Sequence, residues 1–283
     1  MAIITISRGC FSHGQEIAEK VAKMLGYECI SREILVDAAQ MFNVSEKKLI
    51  KSLHDAPTIL ERISHGKTEY LADIKAVLLG YARKGNMVYH GHAGHLLLTE
   101  IPKVLKVRIL AEIEDRIAFL QQKKNVSREQ ALLDIENEDK HRIQWTRYLY
   151  KMDVNDPKLY DIVINIGNLT IDNACETICL AAKSDAYLMT DESKQALDDA
   201  AINSYINAAL QSICEARVSV KNGEVYVKVA AQKRRKTGLM SPALKDNLGT
   251  SYQEDLTGQI NKIAYGIPGV KKVFCSVDPP YYV

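Results

Sequence analysis

The stretch IITISRGCFSHGQEIAEKVAKMLG, Ile3 to Gly26, carries the strongest fold signal in the chain. Ile3, Ile4 and Ile6 form a short β-branched run, Gly9 and Gly14 follow at GxxxxG spacing, and Ile17, Val21, Met24 and Leu25 then recur at helical spacing. Strand, glycine loop and helix in that order suit a phosphate-cradling loop, because the first amides of a helix point outward unpaired and carry partial positive charge. The GxxxxGK[ST] pattern is nevertheless incomplete: Gln15 occupies the lysine position and Glu16 the hydroxyl position. Anion binding by the backbone survives that change, whereas charge neutralisation in phosphoryl transfer needs cations that Gln15 does not supply. GxxxxG alone also fits an ordinary turn, and Ser12 reads either as a metal or phosphate ligand or as a plain loop residue.

Outward from this stretch, apolar runs at Met87 to Tyr89, Val104 to Leu110 and Asp161 to Asn165 alternate with longer helical segments. Ser45 caps a helix from Glu46 to Leu53, Ser127 with Gln130 makes a capping-box pattern ahead of Ala131 to Tyr150, and Thr170 caps Ile171 to Ala182. This βαβ rhythm predicts an α/β fold whose mostly parallel sheet is covered on both faces. The polar stretch from Lys183 to Ser193 breaks the rhythm, so the chain divides into domains at 1–184 and 194–283. In the second, a helix from Lys194 to Cys214 leads into Val218, Val220, Asn222-Gly223, Val225, Val227 and Val229, two alternating strands around a tight turn. A polar helix and the strand in IPGVKKVFCSV complete a small α+β domain of α-β-β-α-β order.

The 283 residues carry a net charge of +2, too near neutral to argue for nucleic acid as a partner, although local clusters could still meet anions. Nothing in the chain resembles a signal sequence or the long apolar run of a membrane span, so a cytoplasmic protein is the expectation. Six cysteines without CxxC pairs suggest neither a disulfide framework nor zinc, and Cys175 and Cys179 read as small buried residues one turn apart.

The charged segment IENEDKHRIQWTRYLYKMDVNDPKLYDIVIN admits two readings. It is either a salt-bridged surface helix or a closing lid whose Arg142 and Arg147 grip phosphate oxygens. Taken together, ITISRGCFSHGQEIAEKVAKMLGY, ISREILVDAAQ, MVYHGHAGHLLL, EDRIAFL, EDKHR and DPKLYDIVIN occur in an order that resembles the cytidylate kinase-like family of P-loop nucleoside monophosphate kinases. The resemblance covers about residues 1–183. It implies a parallel sheet flanked by helices with a helical lid, and transfer of the ATP γ-phosphoryl group to a nucleoside monophosphate, with CMP as leading acceptor and Mg2+ as cofactor.

Carried over residue by residue, the resemblance implies nucleotide binding by Arg8, Gly9, Ser12, His13, Gly14, Gln15 and Glu16, with Ser12 also meeting the metal. Arg116, Asp139, Arg142 and Arg147 would serve catalysis, and Arg32 and His92 the acceptor. Three positions depart from the family pattern: Gln15 and His92 stand where arginine is common, and Ser31 where an acidic residue is common. Loss of one phosphate-pairing arginine would remove about 1.5–3 kcal/mol. A catalytically impaired nucleotide sensor is therefore the alternative, and His90, His92 and His95 could instead pack or contact a metal.

The segments AINSYINAALQ, ARVSVKNGEVYVKV and IPGVKKVFCSV resemble a BON domain, with a longer connection between hairpin and final helix. That implies a binding module for a membrane surface or a protein partner. Lys233, Arg234, Arg235 and Lys236 read as a phosphate-binding cluster or a solvated loop. Nucleotides are the expected ligands, nucleic acid is not an expected partner, and self-association into a homo-oligomer is left open.

Overall fold

The computed structural model describes residues 2–49, 66–91, 93–234 and 242–282. Expectations for His92, Arg235, Lys236 and the end of the helix after Ser45 fall outside them. The chain forms two compact units, Met1–Lys194 and Gln195–Val283.

In the first unit, β1 (Ile3–Arg8) is followed by α1 (Gly14–Leu25), β2 (Glu28–Ile30) and α2 (Glu33–Met41). Then come α3 (Gly66–Lys84), β3 (Met87–Tyr89), the single turn α4 (Gly94–Leu97) and β4 (Val104–Ala111). α5 (Ile113–Lys124), α6 (Arg128–Tyr150), β5 (Ile162–Ile166) and α7 (Ile171–Ala182) complete it. Among the described residues the strands make one parallel sheet in the order β2-β3-β1-β4-β5. β1 is central because helices cover both faces, so Ile3, Ile4, Thr5 and Ile6 are all buried rather than alternately so.

α1 packs through Ile17, Ala18, Val21 and Ala22 on a core shared with Ile4, Val107, Ile164 and Ile178. Met24, expected in that stripe, is exposed, whereas Ala18 and Ala22 are buried in the same cluster as Ala174 and Cys175 of α7. Two of the three predicted caps form with side-chain bonds: Ser127 accepts from Gln130 N–H and Thr170 from Asn173 N–H, each satisfying an amide that the helix leaves open. The Gln130 side chain turns to Asp134 instead of closing the capping box.

The chain leaves β1 toward the β2 edge and β4 toward the β5 edge, so their carboxyl ends flank a topological switch point, where α/β sheets open a crevice. α5 and α6 stand beside it, and Ile117, Leu120, Ala131 and Ile135 enclose Cys10 of the glycine loop.

The second unit contains most of α8 (Asp191–Leu210), the hairpin β6 (Ala216–Lys221) and β7 (Glu224–Val229), α9 (Pro242–Tyr265) and β9 (Lys272–Val277). Two-residue strands β8 (Lys233–Arg234) and β10 (Tyr281–Tyr282) pair with each other. β6 and β7 are antiparallel, and β9 joins β7 in parallel. Asn222 and Gly223 both have positive φ, as a two-residue hairpin turn requires. A side chain at Gly223 would meet Gly269 O at 2.5 Å, and Asp199 accepts both turn amides at 2.6 and 2.9 Å. Ile202, Ile206, Val225, Val227, Leu256 and Ile260 form this unit's own core. No helix among the described residues is long and apolar enough to cross a membrane.

Candidate active site

A cavity of about 650 Å³ opens where the carboxyl ends of β1 and β3 meet the glycine loop. Arg8, Ser12, His13, Gly14, Gln15, Glu16, Arg32 and Arg142 all line it. The loop is held from below: Gly9 N–H donates to Ile109 O at 3.1 Å, and the fully buried Ser12 donates its hydroxyl to Gly9 O at 2.9 Å. Phe11 and His13 both adopt left-handed backbone, φ 58° each, which non-glycine residues rarely do without support from surrounding structure. His13 gets that support from Glu16, 3.2 Å from Nδ1, and from the edge of Phe119.

Asp139 and Arg116 clamp the same loop from α6 and α5. Asp139 accepts from Cys10 N–H at 3.2 Å and from the Arg116 guanidinium at 2.6 Å, while Arg116 Nε donates to Cys10 O at 2.8 Å. The Cys10 thiol, buried beside Asp139, is pushed up to about 12 and stays protonated. Arg142 donates to Arg8 O at 3.0 Å and pairs with Glu138. Arg147 is different: it pairs with Asp153 at 2.7 Å, its side chain is 64% exposed, and it does not line the cavity.

Arg8 crosses Gly14 closely, since a Cβ there would lie 2.6 Å from Arg8 Cδ and 2.8 Å from its Cβ. Its guanidinium reaches His90 Nδ1 at 3.0 Å. Burial, followed by repulsion from Arg142 and Arg32, lowers the Arg8 pKa to about 10. Three like charges converging on one cavity are what an anion would relieve. Gln15, by contrast, turns back to Glu19 at 2.8 Å. Ser12 donates its proton inward, and among the described residues no group of three or more His, Cys, Asp or Glu gathers to hold a metal.

Sequence reasoning named His95 as a packing or metal-contact candidate but passed over Arg108, Asn155 and Tyr160, with which it forms a buried network beside the cavity. Arg108 in β4 donates to Tyr160 OH at 3.1 Å and Asn155 Oδ1 at 2.7 Å, and Tyr160 OH meets His95 Nε2 at 3.2 Å. A charged residue inside the apolar run of β4 was the available signal. Burial, then Arg108 and Lys106, lowers the His95 pKa to about 3, and burial beside Arg8 lowers that of His90 to about 4. The two histidines have separate partners.

The cytidylate kinase-like family matches residues 3–168, from the start of β1 to just past β5, and so spans the whole sheet and the glycine loop. A cytidylate kinase of Ignicoccus hospitalis is 27% identical over 180 residues, covering 63% of this chain and 97% of that relative. One from Methanothrix thermoacetophila is 26% identical over 167 residues, covering 58% of this chain and 88% of its own. The crystal structure of an uncharacterized protein from Eubacterium ventriosum shares the fold at TM-score 0.51 and 19% identity, covering 64% of this chain and 97% of that one. With the family match spanning the loop, the sheet and the clamp helices, the chain belongs to the cytidylate kinase-like family of nucleoside monophosphate kinases.

Proposed function

We propose that the chain transfers the γ-phosphoryl group of ATP to a nucleoside monophosphate, with CMP the first acceptor to test. The observation that carries this reading is the convergence of Arg8, Arg32 and Arg142 on the cavity at the head of α1. Loop amides would cradle the phosphates, and Arg8 would supply the charge that Gln15 lacks, stabilising charge as it spreads over the transferred group. Mg2+ would arrive as the nucleotide complex, since Mg2+ keeps several waters and relies on substrate phosphates. Asp139 and Arg116 act in this reading by holding the loop, not by touching the substrate. The second unit would serve as a BON-like binding module.

One observation favours a second reading, a nucleotide sensor without turnover. Gln15 and Glu16, where lysine and a hydroxyl would stand, are engaged with Glu19 and His13. The deciding experiment is diphosphate formation from Mg-ATP across the common ribo- and deoxyribonucleoside monophosphates. Turnover that falls at least a hundredfold in Arg142→Ala, yet stays within about threefold in Arg147→Ala, fits the kinase reading, the drop being on the scale of one lost transition-state contact. Saturable nucleotide binding with no turnover for any acceptor selects the sensor.

A further inference from the structure

The sheet of the second unit buries one face on its helices and turns the other outward. On the outward face the register sets Ser219, Tyr226 and Phe274 side by side across β6, β7 and β9. Tyr226 and Phe274 are 43% and 47% exposed, and their rings stack with centroids 4.9 Å apart and planes 13° from parallel. Ser219, the other neighbour of Tyr226, is too short to cover the outer ring face. The result is an open recess of about 700 Å³ lined by the two aromatic rings, by Arg217 and Lys228 and by the small hydroxyls of Ser219 and Ser276.

Cations flank this aromatic row on both sides. Arg217 and Lys228 are paired in the next row toward one end, and Lys221 faces Glu224 in the row toward the other. Glu224 accepts from Tyr226 OH at 3.0 Å and lies 3.8 Å from Lys272 Nζ, so its charge is met by Lys272. Arg217, Lys221 and Lys228 have no ion-pair partner among the described residues.

We propose that this face binds single-stranded nucleic acid, with unpaired bases stacking against Tyr226 and Phe274 and phosphates held by Arg217, Lys221 and Lys228. Aromatic platforms bordered by cations are what a flexible polyanion with exposed π-faces requires, and the serines offer hydrogen bonds to base edges. A protein partner fits less well, because lysines are depleted from the centres of protein interfaces. A lipid surface would satisfy the cations, but a recess presents no apolar wedge to insert. The near-neutral charge of the whole chain does not oppose this, since the cations are gathered on one face. The inference is independent of the kinase reading.

The test is fluorescence anisotropy of the full chain with a labelled polythymidine and a labelled polyuridine strand, each about a dozen nucleotides long. Three phosphate contacts give a slope of about −2 in log K against log salt, which Lys228→Ala should reduce to about −1.4. Loss of both rings, Tyr226→Ala with Phe274→Ala, should weaken binding at least about tenfold. Should the ring variants lose their circular dichroism signal, the Lys228→Ala slope decides, since that change leaves the platform in place. No binding at low salt, affinity indifferent to the rings in a folded variant, equal competition by duplex, or capture by phosphatidylserine vesicles without oligonucleotide binding would each overturn the proposal.

Discussion

The clamp formed by Asp139 is expected to determine how well the glycine loop holds its shape, and Asp139→Ala tests this. Asp139 joins three elements, accepting from Cys10 N–H at 3.2 Å and from Arg116 at 2.6 Å. The Arg116 side chain is 12% exposed and that of Asp139 32%, so the pair lies between a solvated salt bridge and a buried one. Exposed pairs contribute up to about 1 kcal/mol, whereas stranding one partner of a buried pair costs about 3–5 kcal/mol. A loss of about 2–3 kcal/mol is therefore expected, or a fall in melting temperature of roughly 4–12 °C for a unit of this size.

The assay is built into the chain, because Trp145 is its single tryptophan and is buried on the same helix as Asp139. Urea unfolding followed by its fluorescence thus reports the first unit. Asp139→Asn, which retains an acceptor for Cys10 N–H, should recover part of the loss. In a double-mutant cycle, Arg116→Met with Asp139→Leu should cost less than the two single losses combined, since it leaves no charge stranded. A change below about 0.5 kcal/mol in Asp139→Ala, or strict additivity in the cycle, would refute the clamp, because contacting residues should couple by more than that.

Gly14→Ala would place a Cβ against Arg8 and should cost about 1–3 kcal/mol by overpacking, while weakening nucleotide binding measured by calorimetry; unchanged affinity would mean that Arg8 has room to move. His95 is held neutral in the fold to about pH 3, whereas in the unfolded chain it titrates near its ordinary value of 6.5. The unfolded state thus binds the extra proton below that value, so the stability is present in full above pH 6.5 and falls as pH drops toward 3. The slope reaches about 1.4 kcal/mol per pH unit at full difference. His95→Gln should flatten the slope between pH 6 and 4.5 by about that amount in urea unfolding, and equal slopes would show that His95 is not buried neutral.

Local chemistry was enough to read much of this protein. Strand, loop and helix around Gly9 and Gly14 follow from β-branching, glycine and helical spacing, and the Ser127 and Thr170 caps and the Asn222-Gly223 turn follow from side chains acting on nearby backbone. Arg142 could be named from the charged helix that carries it, whereas Arg8 and Arg32 became candidates only through the resemblance to the cytidylate kinase-like family. Where their side chains go is a different kind of fact. That Arg8 lies over Gly14 toward His90 depends on β1 and β3 lying side by side, and that Asp139 reaches back across more than a hundred residues to Cys10 depends on how α5 and α6 pack beside the sheet. The Tyr226–Phe274 pair likewise exists only through the register of β7 with β9, strands far apart in the chain. Sequence spacing specifies which residues share a helix turn or strand face, because that geometry is set by neighbouring dihedrals; contacts between distant segments arise only when the apolar faces of those elements are buried together.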